Sequence, residues 1–543
     1  LKKNTLYFLP LGGSGEIGMN LNLYGYNDQW VIVDMGLTFG HKLGIELVVP
    51  DPHLLKGKNI LGVVATHGHE DHIGAIPHLM KYVDCPIYAT PFTTSLIKRK
   101  LNEAYMSESM VKTIPLKGKF TLGPFGFEYV TLTHSIPEPN ALAITTPKGV
   151  IFHTGDWKID PNPMLGDETD VARIIELGDA GILALVGDST NALEDGWTGS
   201  EKGVREELIK QVCQIKKGAV AVTCFASNVA RLETCMIAAT EAGRYPVLVG
   251  RSLCKMYESA KACGYMKTIK AALTEDDLET LPRDKVLIIC TGSQGESRAA
   301  LSRIASGSHP RAKLLKGETV IFSSRVIPGN EREIAHVHNQ LVERHINVIT
   351  PKQADVHVSG HPSRDELFQM YAWVRPKISI PVHGEIRHMQ AHAELAIESG
   401  VSYALVPQNG DLIAIDDKGP VLEKQFELVP HAVDGTQLIP LNHTTFRDRT
   451  KLMTGGVAFA TVLLERNGDL REVYVDALGV FEVDDTMLDR FEDALVLAYE
   501  SITMDAGKPS IAVIEERMHT ALRREIMSCT GKKTSCLVHV MEV

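Results

Sequence analysis

The stretch ILGVVATHGHEDHIGAIPHL, residues 60–79, decides how this chain is read. It opens as a short apolar run ending at Thr66 and closes as an apolar segment of helical period. Between the two, His67-Gly68-His69-Glu70-Asp71-His72 places His67, His69, Asp71 and His72 on one sharp, glycine-containing turn. Imidazole and carboxylate donors at these offsets suit a zinc-type cation, and a helix starting at His72 would fix that side chain's direction. A solvated polar loop has no need of three imidazoles and a carboxylate so close together. The spacing HxHxDH is therefore read as part of a metal site at a strand end.

Upstream, Gly13, Gly15 and Gly18 in GGSGEIG satisfy GxGxxG, and Asp34 follows 16 residues after Gly18. A dinucleotide fingerprint requires the last glycine to open a helix. Here MNLNLYGYNDQWVIVDMG alternates as a strand, turns at Asn27-Asp28 and enters a second strand. The glycines are instead read as a tight loop that lets backbone lie close to a site.

Residues 6–150 are β-rich, with helices expected only near 73–83 and 92–105. From about Ser200, VREELIKQVCQIKKG, VARLETCMIAATEAG and SLCKMYESAKACG read as amphipathic helices alternating with the strands AVAVTCF, YPVLVG, KVLIICTG and TVIFSS. Such alternation calls for a parallel sheet covered by helices. Strand and loop texture returns around NVITP, ISIPVHGE, YALV and DLIAID. A polar stretch at 436–455 reads as a linker, and the tail opens with a hairpin turning at Asn467-Gly468, followed by two helices and a last strand. The expected organisation is 1–200 with 356–435 as one domain, 201–355 inserted in it, and a small α/β domain at 456–543.

The chain has 543 residues, 44% of them hydrophobic and 23% charged, which excludes a largely disordered protein. Its net charge of −11 excludes a basic, histone-like coat for nucleic acid. No apolar run approaches the ~18 residues of a membrane span. Nine cysteines without a CxxC pair fit a reducing cytoplasm. The N-terminal LKKNTLYFLPLGG has too short an apolar stretch for a secretory leader, and a start at Leu1 in place of Met leads to the expectation of a trimmed chain.

With its metal motif and strand texture, the chain resembles the metallo-β-lactamase fold, a sandwich of two sheets flanked by helices. That resemblance implies further ligands at later strand ends, and His134 (ending FEYVTLTH), Asp156 (IFHTGDW) and His383 (ISIPVHGE) occur in the implied order. Alone, each would more often be a hydrogen-bonded structural residue. His41, His53, His78 and His153 match nothing and are read as structural or surface residues. The long α/β segment between Asp188 and His383 resembles the insertion of the β-CASP group, whose members are nucleases. LALVGDSTNA, with Asp188, resembles that group's acidic motif, and HVSGHPS, with His361, lies 22 residues before His383. GGSGEIGMN, HGHEDHIGA, THSIPE, FASNVARL, TGSQGE, SSRVIPGNE, HVSGH, PVHGE and LVHVMEV together resemble the bacterial ribonuclease J family from residue 12 to 543. Arg298 and Arg325 stand where smaller or apolar residues are expected.

The resemblance implies two divalent ions, zinc with manganese also compatible, held by His67, His69 and His134 on one side and by Asp71, His72 and His383 on the other, with Asp156 shared. Such a pair activates water for in-line attack on a phosphodiester. His361 is the expected donor to the leaving 3′-oxygen, with Asp188 orienting it; a strand-end cap is the other reading of Asp188. Asp71 is expected to help orient the attacking water, and Asp34 to support a ligand histidine from behind. Ser227, Asn228, His357, Ser359, Gly360 and His361 are the implied terminal-phosphate contacts, and Asn228 also reads as the cap of the following helix. The implied activity is 5′-to-3′ exonuclease action on single-stranded RNA, favouring 5′-monophosphate ends, with some internal cleavage, in the cytoplasm. A β-CASP endonuclease of the RNA 3′-end-processing or DNA-repair kind, and a catalytically inactive RNA-binding subunit, are the competing readings. Assembly as a homodimer or homotetramer through the C-terminal domain is implied by resemblance only, since Leu488, Phe491 and Leu495 read as core.

Charge sharpens the picture. Residues 201–350 carry 22 Lys and Arg against 16 Asp and Glu, while residues 1–200 carry 15 against 22 and residues 351–543 carry 19 against 29. A basic insert over an acidic metal site favours a phosphate backbone.

Overall fold

Along the first strand, Leu6–Gly12, both faces are apolar and buried: Leu6 and Phe8 enter one core while Tyr7, Leu9 and Leu11 enter another. A strand covered on both sides belongs to a sheet with a layer above and below it. The computed structural model, which describes residues 2–40, 44–267, 269–480, 485–505 and 509–543, shows those layers. Contacts divide the chain into two units, Leu1–Leu438 and Ile439–Val543.

In the first unit an eight-stranded sheet runs in the order Gly419–Gln425, Asp411–Asp416, Leu6–Gly12, Leu21–Tyr26, Gln29–Val33, Asn59–Val64, Ile87–Ala89, Val111–Thr113. It packs on a seven-stranded sheet, Lys119–Leu122, Phe125–Thr131, Asn140–Thr146, Gly149–His153, Ile182–Asp188, Ile378–Val382, Tyr403–Ala404. Phe8, Tyr24, Val31 and Val33 from one sheet meet Phe127, Tyr129, Ile144 and Ile380 from the other. Helix Pro91–Glu103 covers the outside of the first sheet, and helices Val171–Ala180, Arg364–Val374 and Ile386–Glu398 cover the outside of the second. This is the expected two-sheet sandwich flanked by helices.

The insert forms a six-stranded sheet, Leu273–Thr274, Tyr245–Val249, Val286–Cys290, Val220–Thr223, Thr319–Phe322, Asn347–Ile349, parallel at every pairing. The chain then rejoins the sandwich, where Ile378–Val382 pairs in parallel with Ile182–Asp188 and sets Val382 beside Asp188. Both strands end at the same rim.

Two local expectations change. The helix expected near 73–83 is broken into the turns Glu70–Ile73 and Ile76–Leu79 and the 3₁₀ turn Met80–Tyr82. Pro77 brings no N–H, and the Ala75 N–H is taken by Met35 O at 2.9 Å instead of by a helical carbonyl. The first turn also starts at Glu70, with His69 as its N-cap, rather than at His72. The polar stretch 436–455 contains a strand, Gln437–Pro440, and a helix, Thr444–Gly455, whose side chains are mostly exposed.

In the second unit Val457–Leu464 is the central strand, antiparallel to Leu470–Leu478 and parallel to Ser535–Glu542. Gly468, with φ 95°, turns the hairpin. Phe491 and Leu495 are buried in this unit's core, with Leu488 packed against it. Among the described residues no helix is long and apolar enough to cross a membrane.

Candidate metal centre and active site

The motif turn leaves the strand Asn59–Val64 at the sandwich rim, and its direction is set by Asp34. That carboxylate accepts from Thr66 N–H at 2.7 Å and Thr66 Oγ1 at 2.9 Å, and lies 2.7 Å from His72 Nδ1. His72 Nε2 is thereby left facing the site.

Three groups of candidate ligands share Asp156. His67, His69 and His134 form the first with it, Asp71, His72 and His383 the second, and Asp188, His361 and His383 the third; within each group the ligand atoms lie within 4.8 Å of one another. His69 Nδ1 is 3.1 Å from both His67 Nε2 and His134 Nε2. His383 Nε2 and His72 Nε2 lie 3.2 and 3.7 Å from Asp71 Oδ2. His72 Nε2 lies 3.2 Å from Asp156 Oδ2.

The residues fit divalent cations. Asp156 is buried and its Oδ1 accepts no hydrogen bond, although His383 Nδ1 approaches to 3.0 Å. The rings of His67 and His72, which belong to different groups, stand only 4.0 Å apart. Burial, reinforced by His72, holds His67 well below the usual histidine range, and burial pushes His69 down to about 4. Burial opposes charge on His72 and His383 as well, but Asp156 foremost holds both well above that range. Neutral imidazoles in the first group and carboxylates in the second are forms that coordinate metal, and His72 and His383 would release their protons to a bound cation.

The loop 13–18 lies against this centre. Gly13 has φ 86°, and its carbonyl accepts from His383 N–H at 2.6 Å, while Ser14–Gly15 pairs with Gly384–Glu385. The following strand, Leu21–Tyr26, is no nucleotide-binding helix. Asp34 and His383 themselves have φ of 63° and 52°, a left-handed backbone that non-glycine residues rarely adopt and that clusters at functional sites.

His361 sits beside the metal groups with Nδ1 2.8 Å from Asp188 Oδ2. Burial opposes its charge, but the Asp188 carboxylate raises it above the ordinary histidine value. Asp188 Oδ1 accepts from Thr190 N–H at 2.9 Å and Thr190 Oγ1 at 2.7 Å, so the carboxylate serves as a turn cap and a histidine partner at once.

In the loop before helix Arg364–Val374, Ser359 Oγ accepts from Asn191 Nδ2 at 2.9 Å, and the His361 carbonyl accepts from Asn191 Nδ2 and Thr198 Oγ1. Gly360 O lies 2.5 Å from His134 Nδ1. Asn228 caps helix Val229–Glu241 through Arg231 N–H, and Arg231 Nη1 lies 3.5 Å from His357 Nδ1. Ser227 is half-buried in the same turn. Arg325, half-exposed, donates to Asn191 Oδ1 at 2.8 Å, while Arg298 pairs with Glu46 at the surface.

Sequence reasoning missed Asn20, whose Nδ2 is 3.1 Å from His72 Nε2, together with Thr190, Asn191 and the Gly360 carbonyl. The run Asp188-Ser189-Thr190-Asn191 carried a usable signal, since short polar side chains after a strand-end aspartate hydrogen-bond locally. His153 bonds Tyr24, His53 pairs with Asp51 and His78 is half-buried, all outside the ligand groups; His41 lies outside the described residues.

Three family descriptions match the chain: "Beta-lactamase superfamily domain" over residues 29–176, "Ribonuclease J, beta-CASP domain" over 217–341, and "Zn-dependent metallo-hydrolase RNA specificity domain" over 348–407. A protein of Sinorhizobium meliloti named Ribonuclease J is 42% identical, covering 99% of this chain and 97% of the relative. Ribonuclease J 1 of Streptococcus pyogenes is 38% identical, covering 86% of this chain and 84% of the relative. A crystal structure of a protein of unknown function from Enterococcus faecalis superposes with a TM-score of 0.55 at 16% identity, over 76% of this chain and 100% of that one, a likeness of fold.

Proposed function

Because the chain belongs to the ribonuclease J family of β-CASP metallo-hydrolases acting on RNA, we propose that it degrades RNA stepwise from the 5′ end. It prefers a 5′-monophosphate and also cuts internally. The observation that carries the reading is the placing of His361, paired to Asp188, on the flank of ligand groups that share Asp156.

His67, His69 and His134 would hold one divalent ion and Asp71, His72 and His383 a second, with Asp156 reaching both; zinc suits this donor set best and manganese is compatible. When bound, the ions supply Lewis acidity toward the phosphodiester and lower the pKa of water. Asp71 accepts a hydrogen bond from the attacking water and aims it. His361 in its charged form gives its proton to the departing 3′-oxygen, and Asp188 keeps it charged and aimed. Water adds to phosphorus as the bond to the 3′-oxygen breaks, so the released nucleotide ends in a 3′-hydroxyl and the remaining chain begins with a 5′-phosphate. Each cut thus regenerates the end that the next cut requires.

Ser227, Asn228, His357, Ser359 and Gly360 supply the N–H groups and hydroxyls for that terminal phosphate. Cysteine usage supports work in a reducing cytoplasm, and the C-terminal unit joins chains as a homodimer or homotetramer.

The test compares 5′-mono-, 5′-tri- and 5′-hydroxyl RNA of one sequence, labelled at the 3′ end, with product sizes resolved. Single nucleotides and a monophosphate preference are expected. Equal rates reject the terminal-phosphate pocket, and long fragments alone reject the exonuclease.

A further inference from the structure

A line of buried charges crosses from the sandwich into the insert, and nothing in the hydrolytic step uses it. Lys158 Nζ lies 3.2 Å from Asp160 Oδ2, and both side chains are almost wholly buried. Lys158 is tied to the strand end that carries His134, because its N–H donates to Thr133 O at 2.8 Å and its carbonyl accepts from Thr133 Oγ1 at 2.7 Å. Asp160 Oδ2 accepts from Glu201 N–H at 2.9 Å, at the first turn of the insert's first helix.

Glu201 in turn grips Arg231, whose Nη2 lies 2.9 and 3.0 Å from the two carboxylate oxygens. Arg231 is 0% exposed and Glu201 3%. The other end of the guanidinium reaches three pieces of backbone and side chain: Nη1 donates to Ser323 Oγ at 2.7 Å, to Ser323 O at 3.0 Å and to Val356 O at 3.2 Å. Ser323 Oγ donates to Val356 O as well, at 2.6 Å. Arg231 N–H is also the group that Asn228 caps. One residue therefore joins the turn 225–228, the end of strand Thr319–Phe322 and the start of the loop 356–361.

Buried ion pairs are weak stabilisers, because desolvation offsets most of their attraction and apolar replacements of similar volume are often as stable. Geometry is what this pair supplies: a rigid, forked set of donors holding two loops at a fixed distance.

We propose that Arg231 and Glu201 are positioning residues that hold the phosphate loop 356–361 in register with the metal centre, and so set the discrimination between RNA ends. The inference rests on the terminal-phosphate reading above. The pair grips this loop only at its start, through Val356 O, while Asn191 and Thr198 hold the His361 carbonyl at its other end, so bond cleavage depends on the pair far less than end recognition does.

The test uses the full-length, metal-loaded enzyme and three variants, Arg231→Lys, Glu201→Gln and the apolar double variant Glu201→Met with Arg231→Met. Steady-state kinetics on 5′-monophosphate and 5′-hydroxyl RNA of one sequence are measured beside thermal melting. The parent is expected to favour the monophosphate. Arg231→Lys should lose at least tenfold of that preference through a raised KM, while kcat on the 5′-hydroxyl RNA changes by less than threefold. The double variant should melt cooperatively near the parent and show the same loss, and Glu201→Gln a smaller one. Retention of the preference within twofold in folded variants overturns the proposal, and so does an equal fall on both substrates, which would mark a general structural role. A parent without any preference overturns the terminal-phosphate reading itself, and this inference with it.

Discussion

His361 Nδ1 and Asp188 Oδ2 face each other at 2.8 Å, with the second oxygen of the carboxylate fixed by Thr190. Asp188 is wholly buried and cannot turn away from the ring. Its charge therefore acts on His361 and on the rim histidine His383, 3.4 Å from Oδ1.

Removing the ring should separate proton donation from metal binding. His361→Ala is expected to keep its metal content and to cleave about 100-fold more slowly or worse. Asp188→Asn keeps the shape but not the charge and should approach the same loss. Metal analysis of the purified variants beside single-turnover rates decides the matter; loss of metal from His361→Ala would make that residue a ligand.

Gly360 is a second lever. A Cβ there would stand 2.7 Å from His134 Cε1 and 2.8 Å from Nδ1, contacts that real side chains do not make. Gly360→Ala should push the ring off its carbonyl partner and weaken metal affinity about 10–100-fold, as loss of an outer hydrogen-bond partner does. Competition with a fluorescent chelator measures this directly. Unchanged affinity would show that His134 needs no such support.

Arg325 carries the electrostatic prediction. It is half-exposed, bonded to Asn191, and belongs to the basic segment 201–350. RNA affinity should fall with salt, and Arg325→Gln should flatten the slope of log affinity against log salt by about 0.7 for one lost phosphate contact. A parallel slope with a uniform loss would place Arg325 in folding of the 191–198 loop instead.

His392 gives a pH dependence away from the metal groups. Its ring is buried between Ser189 Oγ at 2.9 Å and Tyr371 Oη at 2.8 Å, and burial pushes it from 6.5 down to about 4. The unfolded chain then binds the proton first as pH falls. Stability contributed by the neutral ring is complete above pH 6.5 and is lost progressively toward pH 4, by about 2 kcal/mol at pH 5. His392→Gln keeps both hydrogen bonds and cannot titrate, so its melting temperature should fall less than the parent's between pH 7.5 and 5. Identical falls would mean that the folded ring binds its proton as readily as the unfolded one.

What was legible in the sequence was mostly local. The HGHEDH turn declares itself because its ligands are neighbours in the chain, and GGSGEIG excludes a nucleotide fold because a strand follows it. His134, Asp156 and His383 were each ambiguous alone, since what makes them candidate ligands is a meeting at one rim that only the sheet order creates. The Gly360 carbonyl and Asn20 were out of reach for the same reason: their partners are 226 and 52 residues distant. The split helix at 70–82 depends on Met35 taking the Ala75 N–H, a tertiary contact that periodicity does not encode.

Ile182–Asp188 and Ile378–Val382 are sheet neighbours with the whole insert between them in the chain. Closing so long an excursion costs little more than closing a short one, because the entropy rises with the logarithm of length. In time the two differ. At a synthesis rate of ~5–20 residues per second, His383 emerges roughly 11–45 s after Asp156. The group of His67, His69, His134 and Asp156 is complete before the insert has been made, whereas the second group waits for the last strand to return. The two halves of the centre are born in sequence, and a chain stalled inside the insert carries only the first.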